Sequence, residues 1–139
     1  MRVIVYTDGA ARGNPGISAS GFIVIDAHGK TLKRGIRYNG IKTNNYAEYM
    51  AIIIALRWCA VNLPEGTEVE LYSDSELVVK QLNGTYKIRS EQLKTMNNKV
   101  KETAMGIKPV FKNLPRRNEM ISIVDRQLNI FLDSKSKHR

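Results

Sequence analysis

The order of strands and helices predicts an α/β protein built around a mixed β-sheet. Three predicted strands come first, and the hairpin turn at residues 26–29 makes the second and third antiparallel. Helical patterns then alternate with two more strands, which favours right-handed crossovers between parallel strands. The five predicted strands cover about residues 3–7, 21–25, 30–38, 68–72 and 109–114.

The first strand is an apolar run from Val3 to Tyr6, which is typical of a strand covered on both faces. It ends at the turn pair Asp8-Gly9. Residues 10–21 contain Gly13-Asn14-Pro15-Gly16 and are predicted to form a loop whose glycines allow a close approach of the backbone. The first strand therefore carries a carboxylate to the edge of the sheet.

Four helices are predicted, at about residues 45–62, 76–82, 90–106 and 119–132. Apolar residues repeat at helical spacing from Ala47 to Trp58, and Thr43-Asn44-Asn45 supplies N-cap candidates for that helix. No linker divides the chain. We therefore expect one domain over residues 1–133, followed by a basic, frayed tail at residues 134–139.

The charge balance favours a polyanionic partner. The chain has 139 residues and a formal net charge of +9, with 22 Lys and Arg against 13 Asp and Glu. Most of the excess lies in the second half of the chain. Nucleic acid is a better candidate than a membrane surface, because no cationic amphipathic helix with an exposed aromatic face is evident. The alternative reading is a solvated, lysine-rich surface.

Cysteine usage and hydropathy indicate the compartment. Cys59 is the single cysteine, so no internal disulfide can form, and a buried thiol in a reducing compartment is expected. No apolar run approaches membrane-spanning length, and the first strand begins too early for a signal peptide to precede it. We expect a cytoplasmic protein that acts as a monomer.

Four carboxylates form the candidate site: Asp8, Glu48, Asp74 and Asp125. Each has an ordinary explanation alone, as a turn residue, a helix-dipole partner, an N-cap and a surface group, respectively. As a set they suggest more, because two leave neighbouring strand ends and a third comes from the helix that links those strands. Their mutual repulsion calls for a cation, and oxygen ligands without His or Cys favour Mg²⁺ or Mn²⁺. In a basic protein, the substrate would be a nucleic-acid phosphodiester.

Three segments surround the first three carboxylates: YTDGAARGNPG (6–16), TNNYAEYMAIIIAL (43–56) and YSDSELVVKQLNG (72–84). In sequence, order and spacing they closely resemble the main motifs of ribonuclease HI in its short archaeal and bacterial form. The resemblance covers residues 3–84 well and 108–132 more loosely. It implies the ribonuclease H-like fold, a five-stranded mixed sheet in the order 3-2-1-4-5 with helices on both faces. It also implies endonucleolytic cleavage of the RNA strand of RNA–DNA hybrids, leaving 5′-phosphate and 3′-hydroxyl ends.

The resemblance also implies roles for the carboxylates. Asp8 would bridge two metal ions, Mg²⁺ or alternatively Mn²⁺. Glu48 and Asp74 would bind one of these ions, and Asp125 would bind the other, which activates the attacking water.

Substrate contacts follow from the same resemblance. Asn14, Asn44 and Asn45 would read the minor groove and the 2′-hydroxyl groups of the RNA strand, which lies against Gly9. Thr43, together with Asn45, would seat a phosphate of the DNA strand.

The chain departs from the family pattern at three places. Related sequences place an Ala-Asp pair nearer the Pro-Arg motif than Val124-Asp125 lies here. Glu76 stands where the family often has a Gln that contacts a base, so a negative charge faces nucleic acid. The loop before the last carboxylate lacks the His that many members use, and Arg116 and Arg117 occupy that region, where neither can act as a base near neutral pH. Arg116 is a possible substrate contact.

The connector at residues 85–89 is too short for the basic helix that some members insert there. Tyr86, Lys87 and Arg89 are possible contacts to the DNA strand, with a solvated turn as the alternative.

Two other functions stay open at this point. One is a nuclease of the same fold that acts on double-stranded RNA or branched DNA. The other is a hybrid-binding module without catalysis. The four carboxylates count against the second, because binding to a polyanion gains nothing from clustered negative charge unless metal is present.

Overall fold

The computed structural model describes residues 1–136 of the chain, and these form five strands and four helices. The strands are β1 (Arg2–Gly13), β2 (Gly16–Asp26), β3 (Thr31–Lys42), β4 (Glu68–Ser73) and β5 (Lys108–Asn113). The helices are α1 (Asn44–Asn62), α2 (Glu76–Leu82), α3 (Glu91–Thr103) and α4 (Glu119–Ser136).

The strands form one mixed sheet in the order β3-β2-β1-β4-β5. β1, β2 and β3 are joined as an antiparallel meander, whereas β4 and β5 extend the sheet in parallel. This confirms the predicted fold and strand order. Thr7 of β1 is in register with Ser73 of β4, so Asp8 and Asp74 follow the same rung at the carboxyl ends of two parallel strands.

One face of the sheet is covered by α1, with α3 packed on the outside of α1. α1 is therefore buried on two sides, which explains its wide apolar stripe. A chain of buried polar groups joins the three helices of this layer: the Tyr49 hydroxyl donates to Gln81 Oε1 at 2.8 Å and lies 3.3 Å from Asn97 Nδ2. Such a network favours one relative placement of α1, α2 and α3.

The opposite face is covered by α4, which packs on β1 and β2. Its buried side chains follow helical spacing: Ile121, Val124, Leu128 and Leu132. Asn118 caps the helix, because its Oδ1 accepts hydrogen bonds from the backbone N–H groups of Met120 and Ile121 at 3.0 and 3.2 Å. The side chain at 125 is thereby placed beside the inward stripe.

Two boundary predictions need correction. Residues 10–13 and 16–20, predicted as loop, continue β1 and β2, and only Asn14 and Pro15 remain as the turn. The glycine at 16 makes this hairpin possible, because a β-carbon there would overlap the carbonyl oxygen of Arg12. α4 runs through Ser136, so residues 134–136 are helical rather than part of a frayed tail. Residues 137–139 of that predicted tail lie outside the described residues.

No helix among the described residues is long and apolar enough to cross a membrane.

Candidate active site

Three of the predicted carboxylates meet at the carboxyl edge of the sheet. Asp8 lies within β1, one residue beyond the last residue that pairs with β4; Asp74 follows β4, and Glu48 projects from the beginning of α1. One oxygen from each carboxylate lies within 4.8 Å of those of the other two. Asp8 is 1% exposed and Glu48 is 6% exposed. The cluster is therefore a buried concentration of negative charge.

Close backbone contact between β1 and α1 places Glu48. A β-carbon at Gly9 would overlap the carbonyl carbon of Ala47, so only glycine fits this position. The Gly9 N–H is directed at both acids, at 3.0 Å from Asp8 Oδ1 and 3.1 Å from Glu48 Oε1. Ser20 donates to the Ala47 carbonyl at 2.6 Å, and Thr43 Oγ1 caps α1 by accepting from Tyr46 N–H.

Ser73 links Glu48 to the segment that carries Asp74. Its hydroxyl donates to Glu48 Oε2 at 3.3 Å and accepts from the Ser75 N–H at 3.1 Å. Ser75 is the N-cap of α2, since its hydroxyl accepts from the Val78 N–H at 3.2 Å. The ordinary explanation of Asp74 as the N-cap is therefore wrong, and its carboxylate is not needed to begin the helix.

Burial and mutual repulsion make the ionised forms of the two most buried acids, Asp8 and Glu48, unfavourable. Burial, followed by the negative charges of Glu48, Asp74 and Asp125, raises the pKa of Asp8 from 3.8 to about 11. Burial and the charge of Asp74 raise the pKa of Glu48 from 4.5 to about 8. Among the described residues, Asp8 Oδ2 is a buried oxygen without a hydrogen-bond partner. A hard divalent cation fits this set, because it would give the orphaned oxygen a partner and neutralise the repulsion.

Asp125 lies beside this cluster rather than within it. It is half-buried and lines a cleft of about 300 Å³ together with Gly9, Asn44 and Arg116. The cleft also contains Ala10, Ala11, Arg12 and Asn129. Asp125 raises the pKa of Asp8 through its charge, but it is not one of the three acids whose oxygens lie within 4.8 Å of one another.

Arg116 contacts the cluster from the loop after β5. Its Nε lies 3.3 Å from Asp74 Oδ2, and the side chain is 78% exposed, against 5% for that of Asp74. The carboxylate of Asp74 raises the pKa of Arg116 further above its ordinary, already high value. A permanent cation therefore lies on the rim of the cleft.

The predicted substrate residues at the hairpin turn are tied to α1. Asn14 Oδ1 accepts from the Asn44 N–H at 3.0 Å, and Asn44 Oδ1 accepts from the Ala11 N–H at 3.0 Å. The carbonyl oxygens of both side chains are thus used within the protein, which leaves their amide NH₂ groups to donate to a ligand. Asn45 is half-buried on the first turn of α1.

The other predicted contacts lie on α2 and the connector after it. Glu76 pairs with Lys80, which is 2.6 Å away and one helical turn further on. Lys80 Nζ also lies 4.7 Å from the centre of the Tyr86 ring. Tyr86 is 45% exposed, and Lys87 and Arg89 are exposed beside it. Glu76 is not one of the three grouped acids, and it is joined to Tyr86 through Lys80.

Sequence reasoning missed three polar residues of this region: Arg12, Ser73 and Asn129. Ser73 was missed because it is an ordinary serine at the end of β4 in the sequence, and its hydrogen bonds with Glu48 and Ser75 depend on the folded structure. Arg12 and Asn129 contact each other across 117 positions of sequence. The available signal was the four-residue spacing of Asp125, Asn129 and Asp133, which places them on one face of a helix.

Together, the sheet order and the buried acidic cluster define an α/β protein of the ribonuclease H-like class with a site of metal-binding type. A model of the RNase H family matches residues 1–124. The chain belongs to this family.

Individual relatives agree with this assignment. Ribonuclease HI from Halobacterium salinarum is 38% identical over 105 residues, covering 76% of this chain and 52% of that protein. The crystal structure of RNase H1 from H. salinarum superimposes with a TM-score of 0.88 at 34% identity, covering 96% of this chain and 99% of that one. LC11-RNase H1, solved in complex with an RNA/DNA hybrid, has a TM-score of 0.81 at 36% identity, covering 94% and 99%. The chain spans about half or less of the length of the curated relatives it matches.

Proposed function

We propose that this protein is a ribonuclease H, an endonuclease that hydrolyses the RNA strand of RNA–DNA hybrids and leaves 5′-phosphate and 3′-hydroxyl ends. The observation that carries the proposal is the cluster of Asp8, Glu48 and Asp74, with a buried Asp8 oxygen that lacks a partner among the described residues. Membership of the RNase H family and the hybrid bound by LC11-RNase H1 support the choice of substrate.

Two divalent ions, Mg²⁺ or Mn²⁺, are proposed to be held by the acids. Asp8, Glu48 and Asp74 would hold one ion, while Asp8 and Asp125 would hold the other. Bound ions of this kind supply activation of a water molecule and neutralisation of charge on the phosphate. The raised pKa values of Asp8 and Glu48 mean that these acids must release protons when metal binds, so metal affinity should rise with pH.

The protein's own groups orient this chemistry. The Gly9 N–H holds one oxygen of Asp8 and one of Glu48 in fixed directions, while Ser73 holds the second oxygen of Glu48. Arg116 offers a guanidinium at the rim, where it can bind a phosphate oxygen of the cleaved strand. Its pKa is far too high for it to act as a general base.

Recognition of the RNA strand is proposed for the hairpin turn and the beginning of α1. Asn44 lines the cleft, Asn14 is hydrogen-bonded to it, and Asn45 and Thr43 are its neighbours in sequence, so their amides and hydroxyl would be available to 2′-hydroxyl groups and phosphate oxygens. The surface of Tyr86, Lys87 and Arg89 would meet the DNA strand, and Glu76 is neutralised there by Lys80. We also predict that the protein is cytoplasmic and monomeric. Light scattering after size exclusion tests whether it is a monomer.

The test is a cleavage assay with labelled RNA–DNA hybrid, duplex RNA and duplex DNA, in Mg²⁺, Mn²⁺ or EDTA. Wild type should cut the RNA strand of the hybrid, and EDTA or the Asp8→Asn substitution should abolish cutting. Glu102→Gln, on the exposed surface of α3, is the matched control that removes one carboxylate without touching the cluster.

The same assay separates the alternatives. Cutting of duplex RNA or branched DNA in preference to the hybrid would replace the proposed substrate. Hybrid binding without any cutting would establish a binding module, and cutting that survives both EDTA and Asp8→Asn would exclude the metal-carboxylate mechanism.

A further inference from the structure

The placement of Asp125 depends on how α4 sits on the sheet. Val124 and Leu128 anchor the helix through apolar contacts with β1 and β2. This apolar stripe decides which face of α4 lies against the sheet, but apolar contacts are largely non-directional and resist small rotations and shifts of the helix less than hydrogen bonds do. The C-terminal half of α4 is also held by directional contacts, and these come from Arg12.

Arg12 reaches from the end of β1 to α4. Its Nη2 lies 3.1 Å from the Asn129 carbonyl oxygen, 3.1 Å from Asn129 Oδ1 and 2.8 Å from Asp133 Oδ1. Two N–H bonds of one guanidinium nitrogen are thus directed at three acceptors on two successive turns of the helix. A side chain bound in this way opposes both rotation and sliding of α4 relative to β1.

The acceptors lie on the same face of the helix as Asp125. Asp125, Asn129 and Asp133 are spaced by four residues, and Asn129 Nδ2 donates to the Asp125 carbonyl oxygen at 3.0 Å. Arg12 therefore holds the helix one turn away from the acid that faces the cleft.

The tip of the β1–β2 hairpin is also hydrogen-bonded to a second helix, α1. Asn14 and Asn44 join this tip to the beginning of α1, which carries Glu48. The hairpin tip thus connects the two helices that deliver Glu48 and Asp125 to Asp8.

We propose that Arg12 is a positioning residue that sets the rotation of α4 and thereby places Asp125 against Asp8. This role rests on the proposed function, because it matters only if Asp125 helps to hold metal. The side chains of the Arg12–Asp133 ion pair are 36% and 59% exposed, respectively, and an ion pair this accessible contributes little to the stability of the fold. Loss of Arg12 should therefore disturb the site far more than it disturbs stability.

A direct role in substrate binding is the competing explanation, because Arg12 also lines the cleft. The two roles make opposite predictions for Asp133→Ala. Removing Asp133 frees the guanidinium, so a phosphate contact would be kept or strengthened. If Arg12 acts by positioning α4, the loss of the Asp133 contact should act in the same direction as the loss of Arg12, but less strongly, because the two contacts with Asn129 remain.

The experiment compares Arg12→Gln, Asp133→Ala and the matched control Arg2→Gln, which removes an arginine paired with Glu70 at the far end of β1. Two readouts are needed: kcat and KM on an RNA–DNA hybrid, and Mn²⁺ binding by calorimetry without substrate. We expect Arg12→Gln to lower kcat and weaken Mn²⁺ binding by about ten-fold, with KM nearly unchanged, as is common when groups that orient metal ligands are lost. Asp133→Ala should change the same two quantities in the same direction by a smaller factor, because Arg12 keeps its contacts with Asn129. Arg2→Gln should change neither quantity.

Repeating the Arg12→Gln substitution in an Asp125→Asn background sharpens the result, since the effect on Mn²⁺ binding should then disappear. An effect that persists there would overturn the proposal. So would a rise in KM alone for Arg12→Gln, or wild-type behaviour of Asp133→Ala. If wild type fails to cut the hybrid, the proposed function fails, and the Mn²⁺ titration still decides the role of Arg12.

Discussion

The two sides of the site are built differently. Asp8, Glu48 and Asp74 are buried side chains held by the Gly9 N–H, the Ser73 hydroxyl and the Arg116 guanidinium. Asp125 is half-buried and belongs to α4, whose ion pair with β1, between Asp133 and Arg12, is exposed. The positions of the three clustered acids are determined by the close approach of β1 and α1. The position of Asp125 depends on the placement of α4 alone. The losses of activity caused by substitutions on the two sides should therefore differ in size.

The largest difference is expected between Glu48→Gln and Asp125→Asn. Glu48→Gln removes a charge from the buried cluster and should lower single-turnover hybrid cleavage by roughly 10³-fold, equivalent to about 4 kcal/mol. Asp125→Asn should cost about 10- to 100-fold, because the acid lies outside the cluster. Equal losses would show that the two sides of the site contribute alike.

Gly9→Ala should break the cluster side through sterics alone. A methyl group at position 9 meets the backbone of Ala47 and Glu48, which cannot move independently of α1. We expect about 2–4 kcal/mol of lost stability, together with loss of activity, measured by urea unfolding and cleavage. Gly29→Ala is the comparison: its φ is +83°, but apart from Gly29 and its chain neighbours no atom of residues 1–136 lies within 4 Å of the added β-carbon, so only about 1 kcal/mol of backbone strain is expected. A mild Gly9→Ala variant would disprove the close packing of β1 and α1.

Ser73→Ala tests the link between Glu48 and the strand end. The buried hydroxyl contacts Glu48 Oε2 and the Ser75 N–H, so its loss should cost about 1–2 kcal/mol of stability and lower metal affinity several-fold. Ser73→Thr keeps the hydroxyl and should restore most of the metal affinity. If Ser73→Thr binds metal as weakly as Ser73→Ala does, Ser73 acts through packing rather than through its hydrogen bonds.

The smallest effect is expected on the connector surface. Lys87→Gln and Arg89→Gln should each raise KM by about two- to five-fold and reduce the salt dependence of hybrid binding by about one counterion. Lys101→Gln on the exposed side of α3 removes the same charge away from this surface and serves as the control. Identical changes in all three variants would indicate a general effect of net charge instead of a contact.

Much of the fold could be predicted because its signals are local. The apolar run after Arg2 and the helical pattern from Ala47 to Trp58 identified a central strand and its covering helix. The strand character of residues 10–20 could not be predicted, because Ala, Gly and Ser have weak strand propensity. Those residues are held in the sheet by tertiary neighbours, as in the hydrogen bond from Ser20 to the Ala47 carbonyl.

In the candidate site, too, features with a local sequence signal could be predicted, and features that depend on tertiary contacts could not. Asp8 and Asp74 were predicted to meet because parallel strands end at the same edge of a sheet, and the structure brings them together with Glu48. Ser75 rather than Asp74 caps α2, and local sequence could not decide this because both residue types are favourable N-caps. The partners of Arg12 lie 117 and 121 positions away, beyond the reach of any local pattern.

Thermal unfolding against pH, with and without Mn²⁺, probes the acidic cluster as a metal site. The folded-state pKa values of Asp8 and Glu48 lie above their ordinary values of 3.8 and 4.5, so the metal-free folded protein holds protons that the unfolded chain releases. Stability without metal should therefore fall as pH rises from the ordinary carboxyl range through about 8, the pKa of Glu48. Mn²⁺ should raise Tm most at the alkaline end.

Asp8→Asn should raise Tm of the metal-free protein above neutral pH by roughly 3–6 °C, or about 1–2 kcal/mol for a chain of this size, and remove most of the response to Mn²⁺. Glu102→Gln should behave as wild type. A lower metal-free Tm for Asp8→Asn, with an undiminished response to Mn²⁺, would contradict the assignment of these acids as the metal site.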